Sequence, residues 1–379
     1  MTCASAAGVA ALGEFMVQQL PPLAELFSPD YITARRRFRD RASRLQWESK
    51  AIPIGLYAGV GQPLTIDLAS TPNSGASKLL VLSSGVHGVE GFFGSAVQLA
   101  LIELWEQCGH PDVRCLLIHA VNPFGFQRGR RTNENNVDLN RNFLLEGEVF
   151  QGAPVGYAEL DAILNPATPI TQRDLFTVRV VPLLLRKGLA ALKQSIAGGQ
   201  YEFPEGVFFG GSKHERSVQL LADHFPQWID GIDEVVHLDF HTGLGRSGSW
   251  KLLLDYAPTS DQIERLDSWF GPASYEVNDP SGTAYDACGG FGRWCVSNAK
   301  SVDYLFACAE FGTFGPVSVL AGLRRENQLH HWGAERPELV RSARQRLAEL
   351  FCPASPVWRR KVIDDSIQLV ELSVNGLVS

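Results

Sequence analysis

The sequence predicts an α/β fold, built on a central mixed but largely parallel twisted sheet with helices on both faces. Two observations lead there. First, KLLVLSSG (78–85) and CLLIHAVN (115–122) are continuous apolar runs of strand length, separated by a helical stretch from about Gly91 to Gln107. Strand, loop, helix and strand in that order make a βαβ unit, whose strands pair in parallel. Second, the later apolar runs DEVVHLDFH, SWKLLLDY and SVDYLFACAEF are accompanied by helical stretches around Ser260–Phe270 and Pro337–Phe351. Runs that are apolar throughout, not alternating, are what strands buried on both faces look like.

Ahead of this unit, Ser28 to about Ser49 reads as a charged helix, with Ser28 as N-cap and Pro29 at the first helical position. Its arginines Arg35, Arg36, Arg37 and Arg39 fit a solvated face. PLTIDLAS then reads as a strand. From about Leu144 to Phe225 the pattern changes to a long helical stretch through VPLLLRKGLAALKQSI and a glycine-rich GGQYEFPEGVFFGG. We read residues 1–379 as one domain with a helical insertion at about 144–225 that could shape or cover a site.

Composition narrows the class. The chain has 379 residues, 45% hydrophobic and 20% charged, as ordinary globular proteins do. A net charge of −7 leaves no basic excess to argue for nucleic acid or an anionic membrane. The seven cysteines show neither a CxxC pair nor an even framework, which fits a reducing compartment. The opening MTCASAAGVAALGEF lacks the basic start of a secretory signal, and no apolar run is long enough to span a bilayer. A cytoplasmic protein of undetermined oligomeric state is expected.

In open α/β sheets ligands bind beyond the carboxyl ends of the strands. Three apolar strands end there in His87, His241 and Glu310. His87 and Glu90, in SSGVHGVEG, stand three apart after a buried strand, and imidazole with carboxylate suits Zn²⁺. In VVHLDFHTGLG, His237, Asp239 and His241 share one strand face. His241, at the strand end, is the better ligand candidate, and His237 reads as a satisfied core residue. His87, Glu90 and His241 make the open three-ligand set of a catalytic zinc. NPFGFQRGRRTNENNVDLNRNF (122–143) is too polar for core. Arg141, flanked by Asn140 and Asn142, could grip a carboxylate with two prongs, and Arg131 could meet a developing oxyanion. Glu310 is a carboxylate at the end of an apolar strand, where it needs a partner or a task.

HGVEG, DLNRNF at 138–143, DFHTG and AEFGT, in this order, resemble the M14 zinc carboxypeptidases, over residues 87–310. TAYDACGG, with Tyr285, is similar to the family segment that carries a mobile tyrosine. RTNENNVDLNRNF and PEGVFFGG are similar to a bacterial M14-like subgroup of DUF2817 type. The resemblance implies a zinc-carboxypeptidase (phosphorylase/hydrolase-like) fold with one Zn²⁺ per chain on His87, Glu90 and His241. It implies Glu310 as general base, Arg131 as electrophile, and Asn140, Arg141 and Tyr285 as substrate contacts. Asp138 takes the place of the aspartate bonded to the first histidine ligand, a role that metal-bound histidines generally require. The expected reaction is hydrolysis of an amide bond beside a free carboxylate, on a peptide. DFHTG also resembles the aspartoacylase and desuccinylase branch, which makes an N-acyl amino acid the alternative substrate. A catalytically inactive carboxylate-binding protein is the third expectation.

Overall fold

A computed structural model of the chain describes residues 20–72, 75–168, 194–277 and 288–379, together with Phe176, Val178, Pro182 and Gly188. The opening apolar stretch, Tyr285 and most of VPLLLRKGLAALKQSI lie outside the described residues.

Among the described residues, eight strands form one sheet: β1 (Glu48–Gly59), β2 (Gln62–Ser70), β3 (Lys78–Ser84), β4 (Arg114–His119), β5 (Glu234–Thr242), β6 (Trp250–Leu254), β7 (Tyr275–Val277) and β8 (Asp303–Phe311). Their spatial order is β1-β2-β4-β3-β5-β8-β6-β7. The four central strands, β4, β3, β5 and β8, run parallel. β2 and β6 flank them antiparallel. The sheet is therefore mixed and largely parallel at its centre, as the apolar runs predict. β3 and β5 are buried at nearly every position because helices cover both faces. The Gly91–Cys108 and Pro356–Val378 helices lie on one face, where Phe240 stacks near Phe93 and Phe311. The Arg216–Trp228 and Phe291–Asn298 helices lie on the other, where His237 meets Phe291.

The chain departs from the sequence reading near its start. The helix runs Tyr31–Arg44, with the Asp30 side chain capping Thr33 N–H at 2.7 Å, and residues 48–59 are strand. Asp30 competes successfully with Ser28 because its carboxylate stabilises orphan amides more strongly at a helix N-terminus. The arginines are also not a uniformly solvated face. Arg35 is buried, and Arg39 pairs with the buried Asp67 at 2.6 Å.

Within the 144–225 segment, Tyr157–Leu164 is helical, and the return limb 200–212 carries a Gln200–Phe209 bridge and meets the 122–143 loop where Phe209 O accepts the Asp138 N–H at 2.8 Å. Tyr157, Leu160, Val207 and Phe208 join a second apolar cluster with Val89, Leu347 and Phe351. Val89 lies between His87 and Glu90, so this cluster packs the segment directly onto the loop after β3.

Candidate metal centre

The loop after β3 is shaped by two glycines. Gly85 has φ +69°, a left-handed conformation that L side chains rarely adopt. A Cβ on Gly88 would stand 2.1 Å from the Gly125 carbonyl carbon, so the loop can approach the Asn122–Gly125 turn only without a side chain. Backbone bonds from Gly88 N–H to Arg131 O (3.1 Å) and from Val89 N–H to Arg130 O (2.8 Å) hold it there. A single 3₁₀ turn, Gly88–Glu90, then brings the Glu90 carboxylate back over His87.

Three buried donors converge at this point. His87 Nδ1 is 2.8 Å from Glu90 Oε1, His241 Nδ1 is 3.0 Å from Glu90 Oε2, and the two Nδ1 atoms are 3.2 Å apart. Zinc bonds of about 2.0–2.2 Å in tetrahedral array separate neighbouring donors by about 3.3 Å. The triangle is thus close to the size such an ion requires.

The opposite edge of each imidazole is tied down. His87 Nε2 lies 3.1 Å from Asp138 Oδ1, and His241 Nε2 lies 2.5 Å from Asp239 Oδ2. A carboxylate accepts only, so each Nε2 carries the hydrogen. In the neutral rings both Nδ1 atoms then present lone pairs, facing each other and the Glu90 carboxylate. Three electron-rich groups at this distance repel unless a cation lies among them. Without a metal, a proton takes that part. Although burial alone would lower it, Asp239 and Glu90 carry the His241 pKa well above the ordinary value. Burial alone would raise Glu90 and Asp138, yet both fall below the carboxylate range. His87 and His241 act on Glu90, and Arg131 and His87 act on Asp138.

Glu310 completes the cluster. It lies in register with His241 across β5 and β8, and its Oε1 accepts the Leu244 N–H at 2.8 Å. Burial first, then the negative charge of Glu90, pushes its pKa up to about 7, against the opposing influence of His241, the Leu244 amide and Arg131. Arg131 donates from Nε to Asp138 Oδ2 at 2.9 Å and approaches Glu90 Oε1 at 3.4 Å. The Phe208 ring, at φ +59° on the return limb, lies 5.2 Å from its guanidinium carbon.

Two further predicted residues, Asn140 and Arg141, follow Asp138 in a short 3₁₀ turn. Asn140 Oδ1 accepts the Phe291 N–H at 2.9 Å. Arg141 is buried, and its guanidinium donates to the carbonyls of Ala197 and Asn140. His237 is no part of the donor triangle: it bonds Ser83 and Tyr304. Two residues to which the sequence reading gives no role matter here. Asp239 holds His241, and its signal was the strand alternation that puts it two residues away on the same face. Ser83, 2.6 Å from Asp239 Oδ1, is a register neighbour on β3 and has no signal in its own segment.

The family model described as "Protein of unknown function (DUF2817)" matches residues 27–365 of this chain. No curated protein matches the sequence. Among solved structures, the chain is similar to carboxypeptidase A from Helicoverpa armigera at 13% identity and TM-score 0.44, covering 90% of this chain and 81% of that one. It is similar to the murein-tripeptide amidase MpaA from Escherichia coli O157 at 19% identity and TM-score 0.36, covering 85% and 97%. An aspartoacylase family protein from Mesorhizobium loti MAFF303099 is similar at 14% identity and TM-score 0.35, covering 76% and 67%. The functional reading rests on the geometry of the site and not on these likenesses.

Proposed function

The chain belongs to the DUF2817 family, and we propose that it is a zinc-dependent hydrolase of an amide bond beside a free carboxylate, with residues 1–379 as one catalytic unit. The observation that carries this reading is the convergence of two Nδ1 lone pairs and the Glu90 carboxylate, with the buried Glu310 beside them. His87, Glu90 and His241 would hold one Zn²⁺. When bound, the ion supplies Lewis acidity that makes water a nucleophile near neutral pH.

The chain's own residues do the rest. Glu310, buried beside the donors and accepting the Leu244 N–H, can take a proton from the attacking water and return it to the leaving amine. Arg131 brings positive charge toward the carbonyl oxygen as negative charge grows there. Asp138 and Asp239 keep both ligand rings in the tautomer that directs Nδ1 inward. Asn140, Arg141 and Tyr285 are assigned to holding the substrate, with Arg141 meeting its carboxylate.

A peptide is the favoured substrate. One observation favours the N-acyl amino acid alternative: the return limb lies against the site, with the Phe208 ring over Arg131 and Phe209 O accepting the Asp138 N–H, which suits a small substrate. The deciding experiment measures zinc content, then hydrolysis of peptides and N-acyl amino acids with and without chelator. Stoichiometric zinc and chelator-sensitive cleavage support the proposal. Zinc-free purified protein that takes up none would overturn it and leave a carboxylate-binding protein.

A further inference from the structure

Behind the candidate metal centre a row of polar side chains continues into the core, where an isolated one would be costly. Ser83 on β3, Asp239 and His237 on β5, and Tyr304 on β8 all point to one face of the sheet, as their register and the two-residue alternation require. The distances are continuous. His241 Nε2 to Asp239 Oδ2 is 2.5 Å, Asp239 Oδ1 to Ser83 Oγ is 2.6 Å, Ser83 Oγ to His237 Nε2 is 2.7 Å, and His237 Nδ1 to Tyr304 Oη is 2.9 Å. All five residues are buried, and the His237 ring is boxed by Phe291 and Phe306 at 5.5 and 4.7 Å.

The direction of this chain follows from counting hydrogens. Asp239 stands between two donor groups, with His241 Nε2 2.5 Å from Oδ2 and the Ser83 hydroxyl 2.6 Å from Oδ1, the arrangement of a carboxylate that only accepts. The single Ser83 hydroxyl hydrogen must therefore go to Asp239, which leaves Ser83 Oγ as acceptor toward His237. His237 Nε2 then carries a hydrogen. Burial keeps this ring neutral, with a pKa lowered to about 4, so Nδ1 is bare and takes the Tyr304 hydroxyl hydrogen. With Asp239 as acceptor, each of these hydrogens serves one of the four contacts.

We propose that Tyr304, His237 and Ser83 are positioning residues: a one-way hydrogen-bond chain that locks Asp239 onto His241 Nε2 and so commits His241 Nδ1 to the metal. This rests on the zinc reading and deepens it. Reversing His237, with hydrogen on Nδ1, would turn Ser83 toward His237 and withdraw its bond from Asp239. The hydroxyl of Tyr304, four contacts from the ligand ring, then governs how firmly His241 is held.

Tyr304→Phe and Ser83→Ala each delete one hydroxyl at nearly constant volume. Zinc affinity is measured by competition with a chromophoric chelator, and the His237 tautomer by ¹⁵N NMR of the imidazoles. We expect His237 to be Nε2–H in the parent protein and a mixture in Tyr304→Phe. Each single variant should bind zinc about tenfold more weakly. The double variant should be no weaker than the weaker single one, because both break one chain. Parent affinity in both single variants, losses that multiply in the double, or His237 as Nδ1–H in the parent would each overturn the chain alone. Failure of the parent protein to bind zinc would instead overturn the metal reading, and this inference with it.

Discussion

Glu310→Gln is the most informative single substitution, because it separates what the carboxylate costs the fold from what it does in the site. The pKa of Glu310 rises from 4.5 to about 7 on folding, chiefly through burial and the neighbouring Glu90 charge. At about 1.4 kcal/mol per tenfold, this favours the neutral form by about 3 kcal/mol. Below pH 4.5 the group is protonated in both folded and unfolded chains and contributes nothing. Between 4.5 and 7 the unfolded chain has released its proton while the folded chain retains it, so stability falls as pH rises. Above 7 the full cost applies.

Glutamine keeps the shape and can still accept the Leu244 N–H, but it carries no charge. Chelator-treated Glu310→Gln should therefore unfold at nearly the parent denaturant concentration at pH 4.5 to 5. At pH 8 it should be more stable, by up to about 3 kcal/mol. Zinc should shrink that gap, since a cation beside Glu310 offsets the cost of its charge. The same variant, loaded with zinc, should lose roughly 10²–10⁴ in kcat, the usual contribution of a positioned acid–base group. A stability gap independent of pH would refute the electrostatic account of Glu310. Full activity in the zinc-loaded variant would refute its role as base.

Two further substitutions test neighbouring parts. Arg131→Met should retain zinc and lower kcat/KM by about 10²-fold or more if its charge meets the developing oxyanion, as steady-state kinetics with parallel metal analysis would show. Glu326→Ala removes the buried partner that Arg130 Nε holds at 2.8 Å, leaving a guanidinium of 1% exposure without that counter-charge. Denaturant unfolding should register a loss of about 3–5 kcal/mol.

The sheet was legible because its central strands are buried on both faces and so are apolar at almost every position. KLLVLSSG, CLLIHAVN and DEVVHLDFH carry that signal within themselves. β1 carries less of it: as an edge strand it alternates, and its exposed positions blend with the charged helix before it. The helices Pro316–Trp332 and Pro356–Val378 escaped for the opposite reason. Each buries residues on more than one side and keeps no clean polar face, and amphipathic contrast is what periodicity detects.

The candidate site was legible for a different physical reason. His87, His241 and Glu310 interrupt apolar strands at their carboxyl ends, and an ionisable group there needs an explanation that a surface residue does not. What could not be read was the support behind them. Ser83 and Tyr304 look like ordinary strand residues, and only the parallel register of β3, β5 and β8 puts them in line with Asp239. Register is a property of three segments separated by more than fifty residues each, so no window on one of them contains it. The ligands of a site declare themselves through chemical type, whereas the residues that orient them are defined by pairing. For this chain, that argues for testing Tyr304 and Ser83 alongside His241, although neither stands out in its own strand.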